Sequence, residues 1–224
     1  MASAPFVTGH GFPLIFTAFF IACLGGTVWE ETIYLIRYRK WSARTGTVIG
    51  PFSPIYGYGA AVFALILGPF YTGLPWWAVY LLSCLIGGTM EFMMSLVAEK
   101  VFHEVIWDYS TFFLNICGRT TVPFMLGWGA GGLLLMKVCY PILADLLGRV
   151  PAAVGWPVLW VLVAFMAVDL FLTYGALGRQ SARAQGKAPG ALGRFFDRHY
   201  PDDWLQKRFP AISFGAKKGE GHGT

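Results

Sequence analysis

Apolar residues run in long blocks along this chain, and polar residues gather between the blocks. No side chain in residues 45–90 is charged, and four acids then follow in close order: Glu91, Glu99, Glu104 and Asp108. The blocks lack the strict alternation of barrel strands. A helix needs about 20 apolar residues to cross the hydrocarbon core of a bilayer. In lipid every backbone N–H and C=O must find its partner inside the protein, which favours helices in such blocks. The pattern predicts an all-α polytopic membrane protein, a bundle of five transmembrane helices over residues 12–36, 55–71, 76–101, 122–147 and 156–177. Pro75, Trp76 and Trp77 mark the second turn, and residues 148–157 the last.

Composition agrees with a membrane class. The chain is 56% hydrophobic and 13% charged, against about 25% charged in soluble domains. Lys and Arg then set an expected orientation. Arg37, Arg39, Lys40 and Arg44 lie between the first two spans, Lys100 and Arg119 between the third and fourth, and nine more follow the fifth. Only Arg149 falls on the other side, and Lys137 sits inside the fourth span. The positive-inside rule places the N-terminus outside and the C-terminus in the cytoplasm of a bacterial inner membrane. The net charge of +5 is read as topology and attraction to anionic lipid rather than nucleic-acid binding. The start of the chain lacks a basic n-region, so the first apolar block is expected to be a retained span. Cys23, Cys84, Cys117 and Cys139 form no CxxC and are expected to be buried free thiols.

Two parts are expected: a transmembrane domain over 1–178 and a basic, aromatic-containing cytoplasmic tail over 179–224. Residues 180–193 read as a flexible linker, and 215–224 as disordered.

With this topology several polar residues share one depth. Glu30 and Glu31 lie in the inner half of the first span. Glu91, Ser95 and Glu99, spaced i, i+4, i+8, share one face of the third. Tyr56 opens the second span. Trp107 and Asp108 lie in the loop before the fourth, with Asn115 and Arg119. A carboxylate at the depth of Glu91 is costly unless paired or wetted. Arg119 is its expected partner, because a guanidinium fork can engage two carboxylates. Lys137 and Asp169 lie at similar distances from the last turn and are expected to form a neutralising ion pair. His103 with Glu99 makes only a weak metal motif. Glu31 and Glu104 fit a solvated helix end. The many glycines, including those around Trp128, suit close helix packing.

These residues carry a resemblance. Residues 26–30, 50–60, 91–99, 107–110 and 115–119 hold Gly26-Thr27-Val28-Trp29-Glu30, Pro54-Ile55-Tyr56-Gly57-Tyr58-Gly59, Glu91 with Ser95 and Glu99, Trp107-Asp108-Tyr109-Ser110, and Asn115 with Gly118-Arg119. Their order and spacing resemble the bacterial CmpB-type family of ABC-transporter permeases, over roughly residues 12–140. The resemblance implies a multi-spanning membrane protein with a transport role. The given sequence contains no P-loop GxxxxGK[ST], so an ATPase would be a separate subunit.

Three functions compete. In a permease-like component, the polar cluster at the cytoplasmic face would line a path, with Tyr56, Ser95, Asn115, Trp29, Trp107 and Trp128 as substrate-binding candidates, and five spans would call for a homodimer or partner. In a membrane enzyme, Glu91, Arg119, Glu30 and Asp108 would act on a lipid or polyprenyl phosphate headgroup. Glu30, Glu91 and Glu99 would then be candidate ligands for Mg or Mn, since hard cations take oxygen ligands. In a structural protein, the same residues would lock helices together.

Overall fold

The computed structural model describes residues 4–102, 104–210 and 213–214. Eight helices follow in order: α1 Phe12–Tyr38, α2 Pro54–Leu67, α3 Trp76–Val97, α4 Val122–Leu134, α5 Tyr140–Gly148, α6 Ala152–Ala184, α7 Ala191–His199 and α8 Asp202–Arg208. A π-helical turn, Ala98–Phe102, extends α3, and a second, Leu135–Cys139, joins α4 to α5. Pro141 explains the second turn. Its ring would clash with the Lys137 carbonyl in a regular helix. The chain widens instead, and the Tyr140 N–H donates to the Leu135 carbonyl. Four short strands complete the described chain: β1 Glu104–Val105, β2 Asn115–Ile116, β3 Thr120–Thr121 and β4 Ser213–Phe214. β2 pairs antiparallel with β3, and β1 with β4.

Among the described residues four helices are long and apolar enough to cross a membrane: Phe12–Tyr38, Trp76–Val101, Val122–Gly148 and Ala152–Ala184. The other expected span is the 14-residue α2. At 1.5 Å per residue it rises about 21 Å, short of the ~30 Å hydrocarbon core. It begins at Pro54, whose fixed φ suits a first helical turn. It ends at Leu67 because Gly68 and Pro69 follow, the poorest helix formers. Turns then carry the chain from 68 to 74.

Packing divides the bundle. α1 lies along α2 and α3 along α4, both extensively, whereas α2 meets α3 far less and α6 leans on α1 at few points. Glycines set the close approaches. A Cβ on Gly26 would fall 2.2 Å from the Tyr56 ring, and one on Gly87 2.4 Å from Trp128. At the end of the bundle where α5 turns into α6, the N-terminal segment pairs with the turn. Phe6 N–H donates to Val150 O at 2.9 Å, and Ala152 N–H to Ala4 O at 3.0 Å. The opposite end, which carries most of the basic residues, is called the basic end below.

The expected ion pair of Lys137 and Asp169 does not form. The Lys137 ammonium donates to the carbonyls of Tyr71 and Leu74, capping the α2–α3 turn. Asp169 is fully buried and accepts N–H bonds from Ile49 and Gly50, each at 2.9 Å. The reason is register. α6 starts at Ala152, several residues before the expected 156. Asp169 therefore lies roughly 26 Å along α6 from its start, while Lys137 lies roughly 16 Å before Gly148.

The basic end differs from a flexible tail. α6 continues as helix to Ala184, through the expected boundary at 178 and into the expected linker. α7 and α8 fold back onto it. Phe196, Leu205 and Phe209 are buried with Val48, Ala176 and Leu177. Arg179 makes a two-toothed contact with Asp197 at 2.8 and 3.0 Å, and Arg183 engages Asp197 and Asp202. The hydrogen bonds from Arg179 hold the Asp197 carboxyl below the usual carboxylate range. Arg208 donates to the carbonyls of Thr47 and Gly50, each at 2.9 Å. The loop entering α2 is thus gripped by Asp169 on one side and Arg208 on the other. Cys23 and Cys84 are buried as expected, but Cys117 and Cys139 are exposed, and all four are free thiols. His103 and residues 215–224 lie outside the described residues.

Because Lys137 and Asp169 serve different backbone segments, their substitutions should act independently. Lys137→Met and Asp169→Asn are each expected to lower stability by about 1–3 kcal/mol, the cost of orphaning buried hydrogen-bonding groups. The double variant should show the sum within about 0.5 kcal/mol. A double-mutant cycle by thermal unfolding in detergent checks this.

Candidate functional site

The polar residues of the first four helices meet near the basic end, where the two tightly packed helix pairs face one another. Glu91 is the centre. It is 5% exposed, although it belongs to an apolar helix. A buried carboxylate needs donors, and Glu91 has two. Thr120 Oγ1 donates to Oε2 at 2.6 Å, and Tyr109 Oη to Oε1 at 3.2 Å. The Trp128 indole lies near it as well. Burial, reinforced by the Glu91 carboxylate, raises the Tyr109 phenol far above its ordinary range. Tyr109 therefore keeps its proton and acts as a donor.

Glu30 is the second carboxylate. Ser53 Oγ donates to its Oε1 at 3.3 Å. Ser53 is the N-cap residue of α2 but makes no side-chain cap; its hydroxyl serves Glu30 instead of the helix end. Tyr56, one turn further, feels the charges of both Glu30 and Glu91. Tyr56 therefore lies near both carboxylates. Tyr109 feels both of them and Tyr56 too. Glu30, Tyr56, Glu91 and Tyr109 form one electrostatic set contributed by α1, α2, α3 and the loop before α4. Trp128 packs on Tyr56 with ring centroids 6.0 Å apart. It fits because Gly59 and Gly87 leave room for its ring.

Arg119 is not the direct partner of Glu91. It pairs with Glu99 at 2.6 Å and reaches Ser95 Oγ at 3.5 Å. The three acceptors do lie along one face of α3, as their spacing requires. The β2–β3 hairpin decides which residue meets which acceptor. It aims Thr120 at Glu91 and Arg119 one to two turns further along. Trp107 donates from its indole to the Arg119 carbonyl at 2.8 Å and holds the hairpin down. Asn115 shapes the same hairpin, donating to Ser110 O and Phe112 O and accepting from Gly118 N–H. Asp108 accepts from Ser110 N–H at 2.9 Å, a turn-forming contact. Asn115 and Asp108 are thus engaged in building the loop.

The metal reading meets the same geometry. Among the described residues no three His, Cys, Asp or Glu side chains gather as a metal group. Glu30, Glu91 and Glu99 do not converge, because Glu99 is taken by Arg119 and Glu91 by its hydroxyl donors.

Two adjoining cavities open beside this set. The first, about 310 Å³, is lined by Trp29, Glu30, Tyr34, Arg37, Arg44, Tyr56 and others. The second, about 200 Å³, runs between α1 and α4 over α2, past Gly25, Gly26, Tyr56, Trp128 and Gly131 to Cys139. Tyr56 lines both. Sequence reasoning singled out Tyr56, Trp29 and Trp128 but missed Ser53, Tyr109, Thr120 and Arg44 as parts of the site. Hydroxyl residues beside a buried acid were the available signal for the first three.

The family described as "Putative ABC-transporter type IV", of the CmpB type, matches residues 17–174. The match takes in α1 to α4 and reaches most of the way along α6, further than the motif resemblance did. No curated protein and no solved structure matches the chain. With a match over most of its length, the chain belongs to this family, whose name describes an ABC-transporter-type membrane component.

Proposed function

We propose that the chain is the permease-like component of a membrane transport system, working with a separate ATPase chain. In this reading its basic end faces the cytoplasm of a bacterial inner membrane. The observation that carries the proposal is the polar seam of Glu30, Tyr56, Glu91 and Tyr109 between two tightly packed helix pairs. Ionisable residues inside membrane helices face cavities or pathways, because a charge facing lipid is costly. A seam between units that each pack well internally is also where a rocking movement would open, at the cost of the apolar contacts of Phe63, Ala64 and Leu67 with Val79, Met136 and Tyr140. The family description supports the transport class. The gripped loop between Asp169 and Arg208 lies at the same end, where an ATPase would dock.

The pathway reading makes Glu91 the critical acid. Glu91→Gln keeps the shape but places an amide among donors. It should reduce transport at least tenfold while lowering the unfolding midpoint by only a few degrees, equivalent to about 1–2 kcal/mol. Glu99→Gln, one partner of a half-exposed ion pair, should cost far less. The assay is uptake or export in cells deleted for the chain and complemented with each variant, with expression checked by blot. Full transport by Glu91→Gln would reject the seam as the path. Failure of the wild-type chain to copurify any ATPase after cross-linking in membranes would reject the transport class itself.

The orientation has its own test. A single cysteine at Ser42, in a background without the native cysteines, should react with a membrane-impermeant maleimide only after the cells are opened. Labelling from outside intact cells would reverse the assignment.

A further inference from the structure

The two adjoining cavities differ in chemistry, and the difference has a direction. The one at the basic end brings Arg37 and Arg44 beside Glu30. Arg44 lies over the Tyr34 ring, its guanidinium carbon 4.4 Å from the centroid. Its backbone N–H donates to Glu31. Its guanidinium forms no ion pair among the described residues, and its Nε is buried without a hydrogen-bond partner. Buried polar groups are almost always satisfied, so an orphaned Nε beside a cavity calls for an acceptor. The lining holds two guanidinium groups and one carboxylate, and the Glu31 carboxylate beside it is engaged by the Arg44 backbone. The acceptor that fits is an anion, and planar guanidinium suits phosphate.

The second cavity continues from Tyr56 with an apolar lining. Gly25 and Gly131 form exposed parts of its walls, and a Cβ at either would meet nothing within 4 Å. The groove is therefore open to the side. From Phe124, at the charged cavity, to Cys139, at the far end of the apolar one, α4 and the π-helical turn after it rise roughly 20 Å at up to ~1.5 Å per residue. A single fatty-acyl chain has that order of length.

We infer that this groove binds one anionic phospholipid, with its phosphate on Arg44 and Arg37 and an acyl chain along Gly25 and Gly131. Glu30 and Tyr56 stand where the headgroup meets the seam. The tyrosine hydroxyl is placed to touch the glycerol region, while its ring continues into the apolar wall. For what the bound lipid does, the inference rests on the transport reading, because it makes the substrate class an anionic amphiphile taken from the adjacent leaflet. Binding itself is independent of any ATPase and can be measured alone.

The experiment is native mass spectrometry of the purified full-length protein in detergent, titrated with phosphatidylglycerol, phosphatidylcholine or soluble glycerol phosphate. Wild type should retain one phosphatidylglycerol, at least tenfold more tightly than phosphatidylcholine, and should not bind glycerol phosphate at the same concentration. Arg44→Gln should weaken phosphatidylglycerol about tenfold, as expected for loss of a charge-assisted contact. Gly131→Leu should block the chain for both lipids. Unfolding midpoints show that each variant is folded, and Arg37→Gln replaces Arg44→Gln if the latter is not. Equal retention of the two phospholipids by wild type would overturn the inference. So would unchanged binding in the charge variants, or a dimer that buries the groove and excludes lipid. Tight lipid binding without a copurifying ATPase would keep the site and defeat the transport reading. An ATPase partner without lipid selectivity would do the reverse.

Discussion

A carboxylate held among apolar helices must collect donors from elsewhere in the chain, and three such carboxylates tie this structure together. Glu91 draws on Thr120 and Tyr109, which fastens α3 to the loop and hairpin that follow it. Glu30 draws on Ser53, which fastens α1 to the start of α2. Asp169 draws on Ile49 and Gly50, which fastens α6 to the loop before α2. Each contact crosses between elements distant in sequence. Dispersion holds the helix pairs side by side, but lipid tails compete for apolar contact nearly as well as neighbouring helices do. The polar ties fix which helix meets which, and at what height.

That division of labour explains what could be read from the sequence. Apolar runs are a property of single segments, so the four long membrane helices were visible in outline, whereas the span expected over 55–71 is the short α2. A shared depth for Glu30, Tyr56, Glu91 and Trp107 followed from counting residues along helices. Partner choice did not, because it depends on where each helix starts and on irregular backbone. Starting α6 at Ala152 separates Asp169 from Lys137. A hairpin only seven residues long, from Asn115 to Thr121, turns Thr120 rather than Arg119 towards Glu91. Neither detail leaves a mark in hydropathy. The tail misled for a related reason. Residues 180–193 are small and polar, yet Arg179 and Arg183 have acids to meet on α7 and α8, and this extends α6 as an ordered helix to Ala184.

The same ties bear on movement. α6 is fixed near one end by Phe6 against Gly155 and near the other by Asp169 and the tail helices. Between these points Leu159 and Met166 bury against the bundle, and the remaining contacts are few. Cavities of about 550 and 480 Å³ lie along it, one against α1 and α2, the other against α3. Tyr58 lines both, and its hydroxyl meets that of Tyr174, which lines the second, at 2.8 Å. Apolar cavities of this size would be a heavy loss of packing in water-soluble proteins. In a membrane, lipid chains can occupy such lateral openings, so the loss is smaller.

The bundle thus has a firm side and a soft side with respect to the seam. Across the seam, Glu30 and Glu91 each have their own donors, and Tyr56 and Tyr109 stand near both charges. Separating the α1–α2 pair from the α3–α4 pair would leave each carboxylate with its own hydroxyl partners, Ser53 and Thr120. What would be lost is the interaction of Tyr56 with Glu91, the packing of Trp128 on Tyr56, Phe63 and Gly59, and the apolar cluster that Phe63, Ala64 and Leu67 share with Val79, Met136 and Tyr140. Because the strongest hydrogen bonds lie within each half, opening exposes no carboxylate stripped of all its donors, and the cost of desolvated charge stays low in both states. A two-state element needs this kind of near balance. Had Arg119 bridged Glu91 to the other pair, opening would have meant breaking a buried ion pair, and the seam would be a weld. Its engagement with Glu99, on the hairpin's own side, leaves the halves free to part.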